Sequence, residues 1–222
     1  MDTLYEKGYD KYGFYPYYTK QKLKILYIGR ESRDLKPESD YSDYIKYIYN
    51  CYTGKEKEIS EKPINRHAFH RRLLKISYGL INEKEWVDIP KASEIAESFG
   101  TKNGISFAFT NLSKISNCDD DSTKINGNFK GNVKNTKHYL KEEISILKPD
   151  LIIGMNMINW KGFSAEDICA TKAYDDDKNI YKVKIDDLRT SYIDSYHFST
   201  RYKKDERDFF DLIRNCLAKI KR

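Results

Sequence analysis

Residues 105–116 read ISFAFTNLSKIS, and the change of character within this stretch indicates how the chain folds. The first part is an apolar run typical of a buried strand, which we place at residues 105–112. The run contains Asn111 at its end and passes directly into Ser113 and Lys114. Ligands of open parallel sheets bind beyond the carboxyl ends of the strands. A strand that ends in a carboxamide therefore predicts a sheet with functional side chains along that edge.

Three further apolar runs predict buried strands, at residues 23–29, 150–155 and 192–196. Apolar residues at helical spacing predict helices, at residues 38–52, 65–80, 92–99, 137–148 and 206–220. Short strands separated by helices predict an α/β domain in which a parallel sheet carries helices on both faces.

Three other segments complete the predicted organisation. Residues 179–185 alternate between apolar and polar side chains, which predicts an edge strand. Residues 117–135 are polar and rich in glycine and asparagine, which predicts a surface loop. The aromatic side chains of residues 1–20 predict an N-terminal segment packed on the core. We expect one domain that spans residues 1–222.

The composition excludes several classes of protein and permits an anionic partner. The net charge is +6, from 40 Lys+Arg and 34 Asp+Glu, a mild excess that is compatible with nucleic acid. Four scattered cysteines without a CxxC pair encode neither a local zinc ribbon nor a redox motif, and they favour a reducing compartment. The N-terminal residues lack the apolar core of a signal peptide, and no run approaches the ~18 apolar residues of a membrane span. We therefore expect a cytoplasmic protein that does not bind membranes.

Side chains with complementary chemistry follow the predicted strands. Glu31 comes just after the first strand, Asn111 ends the second, and His197 follows the fourth. A carboxamide offers a donor and an acceptor side by side, as the edge of a nucleobase requires. A histidine can donate to an oxygen that gains negative charge, and a carboxylate can position a water or stabilise a cationic sugar. Together the three types suit the cleavage of an N-glycosidic bond.

Three stretches resemble motifs of the uracil-DNA glycosylase superfamily. KILYIGRES, residues 24–32, is similar to the first motif, a strand that ends in glycine before a segment with an acidic or amide residue. FAFTNLSKIS, residues 107–116, and YLKEEISILKPDLIIGMN, residues 139–156, resemble the central block, where a strand ends in the base-recognising asparagine. SYHFSTR, residues 195–201, resembles the last motif, which is His-Pro-Ser in many members. The order and spacing match from residue 23 to residue 217.

The resemblance implies a three-layer α/β/α sandwich around a four-stranded, mainly parallel sheet. It also implies a monofunctional DNA glycosylase that flips a uracil or another modified base and excises it without a metal. By position, Glu31 would activate the water and His197 would stabilise the departing base, while Asn111 and Gly29 would hold the flipped base. The residues that would approach the DNA backbone are Lys114, Ser199 and Arg201.

The sequence departs from the family pattern at several positions. Ser32 and Phe198 stand where proline is usual. Ile115 occupies the position at which the iron–sulfur families carry a cysteine, and Cys118 lies three residues later. We therefore expect no cluster and no other cofactor. DNA, single- or double-stranded, is the expected partner of a monomer.

No residue is marked by the sequence as the aromatic side chain that would stack on the base. Tyr41, Tyr44 or a tyrosine within residues 12–18 (YGFYPYY) could serve.

Each candidate residue also has an ordinary structural explanation. Asn111 could cap a turn, because asparagine favours such positions. Glu31 could pair with a neighbouring arginine in a solvated loop, and His197 could be a structural histidine. His67 and His70 are three residues apart on a predicted helix, but the sequence shows no third ligand. We therefore predict a solvated helix face there.

Three functions remain open from the sequence alone. The first is a DNA glycosylase, and the second is a catalytically inactive nucleic-acid-binding module of the same fold. The third is an unrelated α/β enzyme or a binder of small nucleotides, which no P-loop or GxGxxG motif supports. The first predicts base release, and the second predicts salt-dependent DNA binding that does not need Glu31.

Overall fold

One sheet of seven strands forms the centre of the protein within the part of the chain that is described. The computed structural model describes residues 12–32, 43–55, 62–115, 122–158, 163–175, 177–200 and 205–221. The strands are β1 (Gly13–Phe14), β2 (Ile25–Gly29), β3 (Ala108–Asn111), β4 (Leu151–Met155), β5 (Ala170–Tyr174), β6 (Asp177–Ile185) and β7 (Leu188–Ser195). Their order across the sheet is β1-β3-β2-β4-β7-β6-β5.

The described residues also form six α-helices. They are α1 (Tyr44–Tyr52), α2 (Ala68–Ile81), α3 (Ala92–Glu97), α4 (Ser122–Thr136), α5 (His138–Leu147) and α6 (Arg207–Ile220). α1 begins where the Asp43 carboxylate accepts the backbone N–H of Lys46 at 3.0 Å, an N-cap of the usual kind. α5 ends just before Pro149, as the residue preceding a proline disfavours helix. The predicted α/β class is confirmed.

Four of the strands are parallel neighbours. β2 pairs with β3 on one side and with β4 on the other, and β4 pairs with β7, all in parallel. The other three pairs, β1 with β3, β6 with β7 and β5 with β6, are antiparallel. The sheet is therefore larger than the predicted four strands. The carboxyl ends of β2, β3, β4 and β7 lie along one edge, because parallel strands share a direction.

The outer edge of the sheet differs from the prediction. The sequence predicts an edge strand at residues 179–185, but β6 lies between β7 and β5. β5 forms that edge, and most of its residues are exposed. Because it has neither an apolar run nor a clean alternation, no signal in its sequence marks it as a strand. Pairing with β6 determines its conformation instead.

Helices cover both faces of the sheet. The hydroxyl of Tyr27 in β2 bonds to that of Ser77 in α2, with 2.8 Å between the oxygens. Thr110 follows Phe109, the register partner of Tyr27, and therefore points to the opposite face. There Thr110 donates a hydrogen bond to Glu143 of α5, at 2.8 Å. All residues of β2 and β4 are buried, as expected for strands covered on both sides.

Helix α4 corrects the prediction of a surface loop at residues 117–135, of which residues 117–121 lie outside the described residues. Phe129 and Val133 are one helical turn apart and both are buried. Thr136 donates its hydroxyl to the carbonyl of Leu112, at 3.1 Å, which fastens the helix to the end of β3. Two buried apolar anchors thus outweigh the poor helix propensity of the glycine- and asparagine-rich sequence.

The aromatic residues near the N terminus pack on the core where they are described. Tyr15 and Tyr18 are buried. The ring centroid of Tyr15 lies 4.9 Å from that of Phe99 and 5.1 Å from that of Phe107. Residues 1–11 lie outside the described part, so the prediction for residues 1–20 is tested only in its second half. Among the described residues, no helix has the length and apolar character needed to cross a membrane.

Candidate functional site

Gly29 and Asn111 end two neighbouring parallel strands side by side. They are register partners in the pairing of β2 with β3. A Cβ atom added to Gly29 would lie 2.3 Å from Oδ1 of Asn111 and 3.0 Å from the ring of Phe109. Any larger residue at position 29 would therefore displace the carboxamide. Glycine at the end of β2 makes room for Asn111 to lie across the strand end.

The carboxamide of Asn111 is buried and hydrogen-bonded. Its Nδ2 donates to the hydroxyl of Tyr12 at 2.9 Å and to Oγ of Ser32 at 3.3 Å. The hydroxyls of Tyr12 and Ser32 are 2.6 Å apart, which closes a small polar network. Asn111 is only 3% exposed, so this network holds its side chain in one orientation.

Aromatic rings surround this network. Tyr44 of α1 stacks on Phe109 with ring centroids 5.3 Å apart. Tyr12 lies 5.5 Å from Tyr44 and 6.2 Å from Phe109. Tyr44 is one of the tyrosines that the sequence left open as a stacking residue, whereas Tyr41 lies outside the described residues. In this conformation Tyr12 and Tyr44 cover the region next to Asn111.

Glu31 begins the loop that follows β2, and its side chain points inward. The side chain is only 3% exposed, and Oε1 lies 3.3 Å from Nε of Arg30. A carboxylate in such a position needs a cationic partner, because burying an isolated charge is costly. Glu31 is therefore a buried carboxylate that is paired with Arg30. It is not the solvated loop residue that the structural alternative predicts from the sequence.

His197 lies just beyond β7 and is held as a neutral imidazole. Its Nδ1 accepts the backbone N–H of Ser199 at 3.2 Å. Burial lowers the pKa of His197 below the ordinary 6.5, and the positive charge of Arg30 lowers it further. A neutral ring whose Nδ1 accepts a hydrogen bond carries its proton on Nε2. His197 can therefore donate from Nε2 to a ligand near neutral pH.

Arg30 and Phe69 connect the candidate residues along the edge. Arg30 pairs with Glu31 and acts on His197 through its charge. The ring of Phe69, in α2, lies 6.0 Å from Phe109 and 6.3 Å from His197. Arg30 and Phe69 thus link Glu31, His197 and β3, the strand that carries Asn111. All of them lie at the carboxyl edge of the parallel strands.

The residues predicted to contact the DNA backbone have three different outcomes. Ser199 is exposed, and its backbone N–H is used by His197. Lys114 is buried, and its Nζ bonds to Glu143 of α5 at 2.5 Å. Its ammonium group is therefore buried and paired within the protein at the end of β3, and its predicted contact with the DNA backbone stays a prediction. Arg201 lies outside the described residues.

The segment that carries His197 is held by an arginine that the sequence analysis did not select. Nη1 of Arg72 donates to the backbone carbonyls of Phe198 and Thr200. The sequence shows Arg72 only as one of several basic residues on a helix, and hydrophobic periodicity carries no signal for a buried arginine.

Asp194, near the end of β7, is a second residue that sequence reasoning missed. Its carboxylate accepts the backbone N–H groups of Met157 and Ile158, at 2.9 and 3.1 Å, in the loop after β4. It also accepts the hydroxyl of Tyr192 at 3.1 Å. Burial raises the pKa of Asp194 to about 6, although the hydrogen bonds oppose this effect. Asp194 therefore joins two strand ends of the candidate site.

His67 precedes α2 and His70 lies within it, and the environment of His70 is not solvent. His70 is buried, and its Nδ1 lies 2.7 Å from the hydroxyl of Tyr52. The prediction of a solvated helix face is wrong for this residue, because Tyr52 of α1 satisfies the ring in the interior. Within the described ranges, no group of three or more His, Cys, Asp and Glu side chains is placed to hold a metal ion.

Comparison with known proteins adds no assignment to this geometry. No protein-family model and no curated protein matches the chain. The chemistry of the site must therefore be inferred from its residues. A neutral imidazole donor, a buried carboxylate and a buried carboxamide at one sheet edge can bind a planar heterocycle and stabilise charge that develops on it.

Proposed function

We propose that the protein is a DNA glycosylase that hydrolyses the N-glycosidic bond of a flipped uracil or another modified base. One observation carries the proposal. His197 is neutral, and the hydrogen bond from Ser199 goes to Nδ1, so the proton on Nε2 points to a different side of the ring. His197 lies on the same edge of the sheet as the buried carboxylate of Glu31. This combination of a neutral donor and an acid suits a reaction in which a base leaves as an anion while a sugar becomes cationic.

In the proposed reaction the bond between C1′ of the deoxyribose and the nitrogen of the base breaks. The electron pair leaves with the base, and His197 donates from Nε2 to the base oxygen on which negative charge develops. Glu31 stabilises the cationic sugar and accepts a proton from the water whose oxygen attacks C1′. The products are the free base and an abasic sugar.

Asn111 is proposed to read the edge of the base. Its Nδ2 is bonded to the hydroxyl of Tyr12, so a base must displace Tyr12 and offer an acceptor in its place. Base flipping costs a few kcal/mol, which stacking and hydrogen bonds in the pocket must offset. Phe109 and Tyr44 are the proposed stacking residues, since both rings lie next to Tyr12, whose hydroxyl is bonded to Asn111.

The arrangement of the sheet supports the same proposal. Four parallel strands, in the order β3-β2-β4-β7, form its middle, and helices lie on both faces. The resemblance to the uracil-DNA glycosylase superfamily implies this kind of layered sheet. The resembling motifs fall at the carboxyl ends of β2, β3 and β7, where this proposal requires them.

An oligonucleotide assay tests the proposal. Duplex and single-stranded oligonucleotides that carry uracil or other modified bases are incubated with the protein, and abasic sites are then cleaved. We expect base release from at least one substrate. We also expect Glu31→Gln and His197→Ala each to lower the rate by about 10²-fold or more. Absence of product from folded protein across the whole panel would overturn the proposal.

Matched controls separate chemistry from general effects of substitution. Glu142 and His138 are exposed residues of α5, which packs on the face of the sheet opposite to α2. Glu142→Gln and His138→Ala should leave the rate unchanged within a factor of about two, since exposed substitutions rarely perturb a fold. If these controls lose activity to the same extent as the site variants, the roles assigned to Glu31 and His197 are wrong.

A catalytically inactive nucleic-acid-binding module is the second candidate function. The observation that favours it is the closed network of Asn111, Tyr12 and Ser32, in which both described bonds of the carboxamide nitrogen stay within the protein. This alternative predicts retention of DNA that weakens steeply with salt. It also predicts that no base is released by the unmodified protein, and that Glu31→Gln does not weaken the retention of DNA.

A further inference from the structure

Arg72 in α2 is a buried arginine with several hydrogen-bond partners. It is 6% exposed, and its guanidinium carbon lies 4.1 Å above the ring of Phe209. Nε donates to Glu206 at 3.2 Å. Nη1 donates to the carbonyl of Phe198 and, at 3.2 Å, to the carbonyl of Thr200. Removing such a cation from water is costly, and the bonds to Glu206 and to the two carbonyls offset that cost.

The carbonyl of Phe198, which Arg72 binds, belongs to the same peptide unit as the N–H of Ser199, which contacts His197. In a trans peptide the C=O of one residue and the N–H of the next point in opposite directions. When Arg72 fixes the carbonyl of Phe198, it therefore also fixes the direction of the N–H of Ser199. That N–H donates to Nδ1 of His197 at 3.2 Å. The N–H of Thr200 returns to the carbonyl of His197, at 2.8 Å, and closes the turn.

We propose that Arg72 is a positioning residue that sets the tautomer and orientation of His197 through the Phe198–Ser199 peptide unit. The chain of contacts runs from the guanidinium to the carbonyl of Phe198, through the peptide plane to the N–H of Ser199, and on to Nδ1. The result is an imidazole with Nε2–H directed away from the turn.

The planar guanidinium is required for this role. Arg72 reaches Glu206 with Nε while Nη1 reaches both carbonyls, and the single nitrogen of a lysine cannot occupy both positions. The neighbouring Arg71 offers a matched control. It binds the same Glu206, at 2.6 Å, but its other described bond goes to the carbonyl of Asn65, away from the turn.

The test is a nitrogen-15 NMR spectrum of the histidine side chains, which reads the protonation of each ring nitrogen directly. We expect the unmodified protein to show His197 with Nδ1 as an acceptor and the proton on Nε2. A scalar coupling across the Ser199 N–H···Nδ1 hydrogen bond is also expected. The spectrum of His197→Ala assigns the signals.

In Arg72→Lys and Arg72→Gln we expect loss of that coupling and mixed tautomers of His197. Exchange of the Ser199 amide hydrogen should become faster by about tenfold, which is the effect of losing one hydrogen bond. Arg71→Gln should leave all three observations unchanged. If Arg72→Gln does not fold, Arg72→Lys decides, because it keeps the positive charge opposite Glu206.

Two results would overturn the inference. One is an Arg72 variant with native fold that keeps both the coupling and the single tautomer. The other is the absence of the coupling in the unmodified protein, which needs no variant at all. The functional meaning rests on the proposed role of His197, but the spectra do not depend on activity. If the Arg72 variants lose the single tautomer of His197 but the unmodified protein releases no base in the oligonucleotide panel, the proposed function is wrong and this inference still holds.

Discussion

The hydroxyl of Tyr12 lies 2.9 Å from Nδ2 of Asn111, so the carboxamide proposed to read a base is already bonded to another part of the chain. Tyr12 and Asn111 are 99 positions apart in the sequence. The ammonium group of Lys114 lies 5.3 Å from the centre of the Tyr12 ring, which helps to keep the ring over the site. A ligand at Asn111 must compete with this contact, and the strength of that competition can be measured.

Tyr12→Phe should lower the stability of the protein and improve binding at the site. Loss of the hydroxyl removes bonds to Asn111 and Ser32, which costs about 1 kcal/mol of unfolding free energy. It also frees Nδ2 of Asn111, so KM for an oligonucleotide substrate should fall severalfold. Tyr17→Phe, at a side chain that is half exposed, is the control and should change neither quantity. An unchanged or raised KM in Tyr12→Phe would show that Tyr12 does not compete with the base.

Gly29→Ala should displace Asn111 and destabilise the protein by about 1–3 kcal/mol, the usual cost of overpacking. The added methyl group would meet Oδ1 of Asn111 at 2.3 Å. Gly131→Ala is the matched control, for which the unfolding free energy should rise instead of fall. Gly131 is an exposed residue of α4 with no atom near its added methyl group. It should gain about 0.5–1 kcal/mol from better helix propensity. Chemical unfolding measures both, and destabilisation by Gly131→Ala would count against helix α4.

Lys114 and Glu143 should respond unequally to substitution. The side chain of Lys114 is 4% exposed, whereas that of Glu143 is 28% exposed. Glu143→Gln leaves a buried ammonium group without its carboxylate and should cost about 3 kcal/mol of unfolding free energy. Lys114→Met leaves a carboxylate that water can partly solvate, so the loss should be smaller. The slope of DNA affinity against salt should not change in Lys114→Met, because the ammonium group of this lysine is buried and paired with Glu143.

The strands and helices that the sequence predicted share one property, which is an apolar pattern strong enough to specify burial. β2, β3, β4 and β7 were found because their residues are buried in the sheet. α4 and β5 were missed because their conformation depends on a few contacts with other elements. Phe129 and Val133 secure α4, and pairing with β6 secures β5. A local pattern cannot report contacts that form only in the folded chain.

The candidate site shows the same division. Glu31, Asn111 and His197 were selected because they follow predicted strands, and their positions on one edge follow from the parallel pairing of those strands. Arg72 and Asp194 were not selected. Their importance lies in backbone groups that they bind far along the chain, and residue type alone does not reveal such partners.

His70 should make the protein less stable in acid. Burial lowers the pKa of His70 well below the ordinary 6.5, so the folded state cannot take up a proton that the unfolded state binds. Stability should therefore fall as the pH drops below about 6.5, by at most about 1.4 kcal/mol per pH unit. His70→Phe should flatten this slope, although loss of the Tyr52 contact lowers its stability at every pH. Tyr52→Phe keeps the histidine and should keep the slope. Equal slopes in all three proteins would contradict this assignment.

Asp194 should change the pH dependence of stability in the opposite direction to His70. Because its pKa is raised to about 6 in the folded state, it keeps its proton in a pH range where the unfolded chain has already lost it, above about 3.9. Stability should thus fall as the pH rises through this window, by about 3 kcal/mol in total. Asp194→Asn cannot ionise, so its stability relative to the parent protein should rise from pH 4 to pH 6 by that amount. Chemical unfolding at fixed ionic strength measures the difference.

Tyr192→Phe provides a second and independent measurement of the same carboxyl group. The hydroxyl of Tyr192 donates to Asp194 at 3.1 Å and favours the ionised form. Its removal should raise the pKa of Asp194 further and move the upper end of the pH window above about 6. In the double variant Tyr192→Phe/Asp194→Asn that displacement should vanish, because no ionisable group remains at position 194. A displacement that persists in the double variant would assign the pH dependence to another residue.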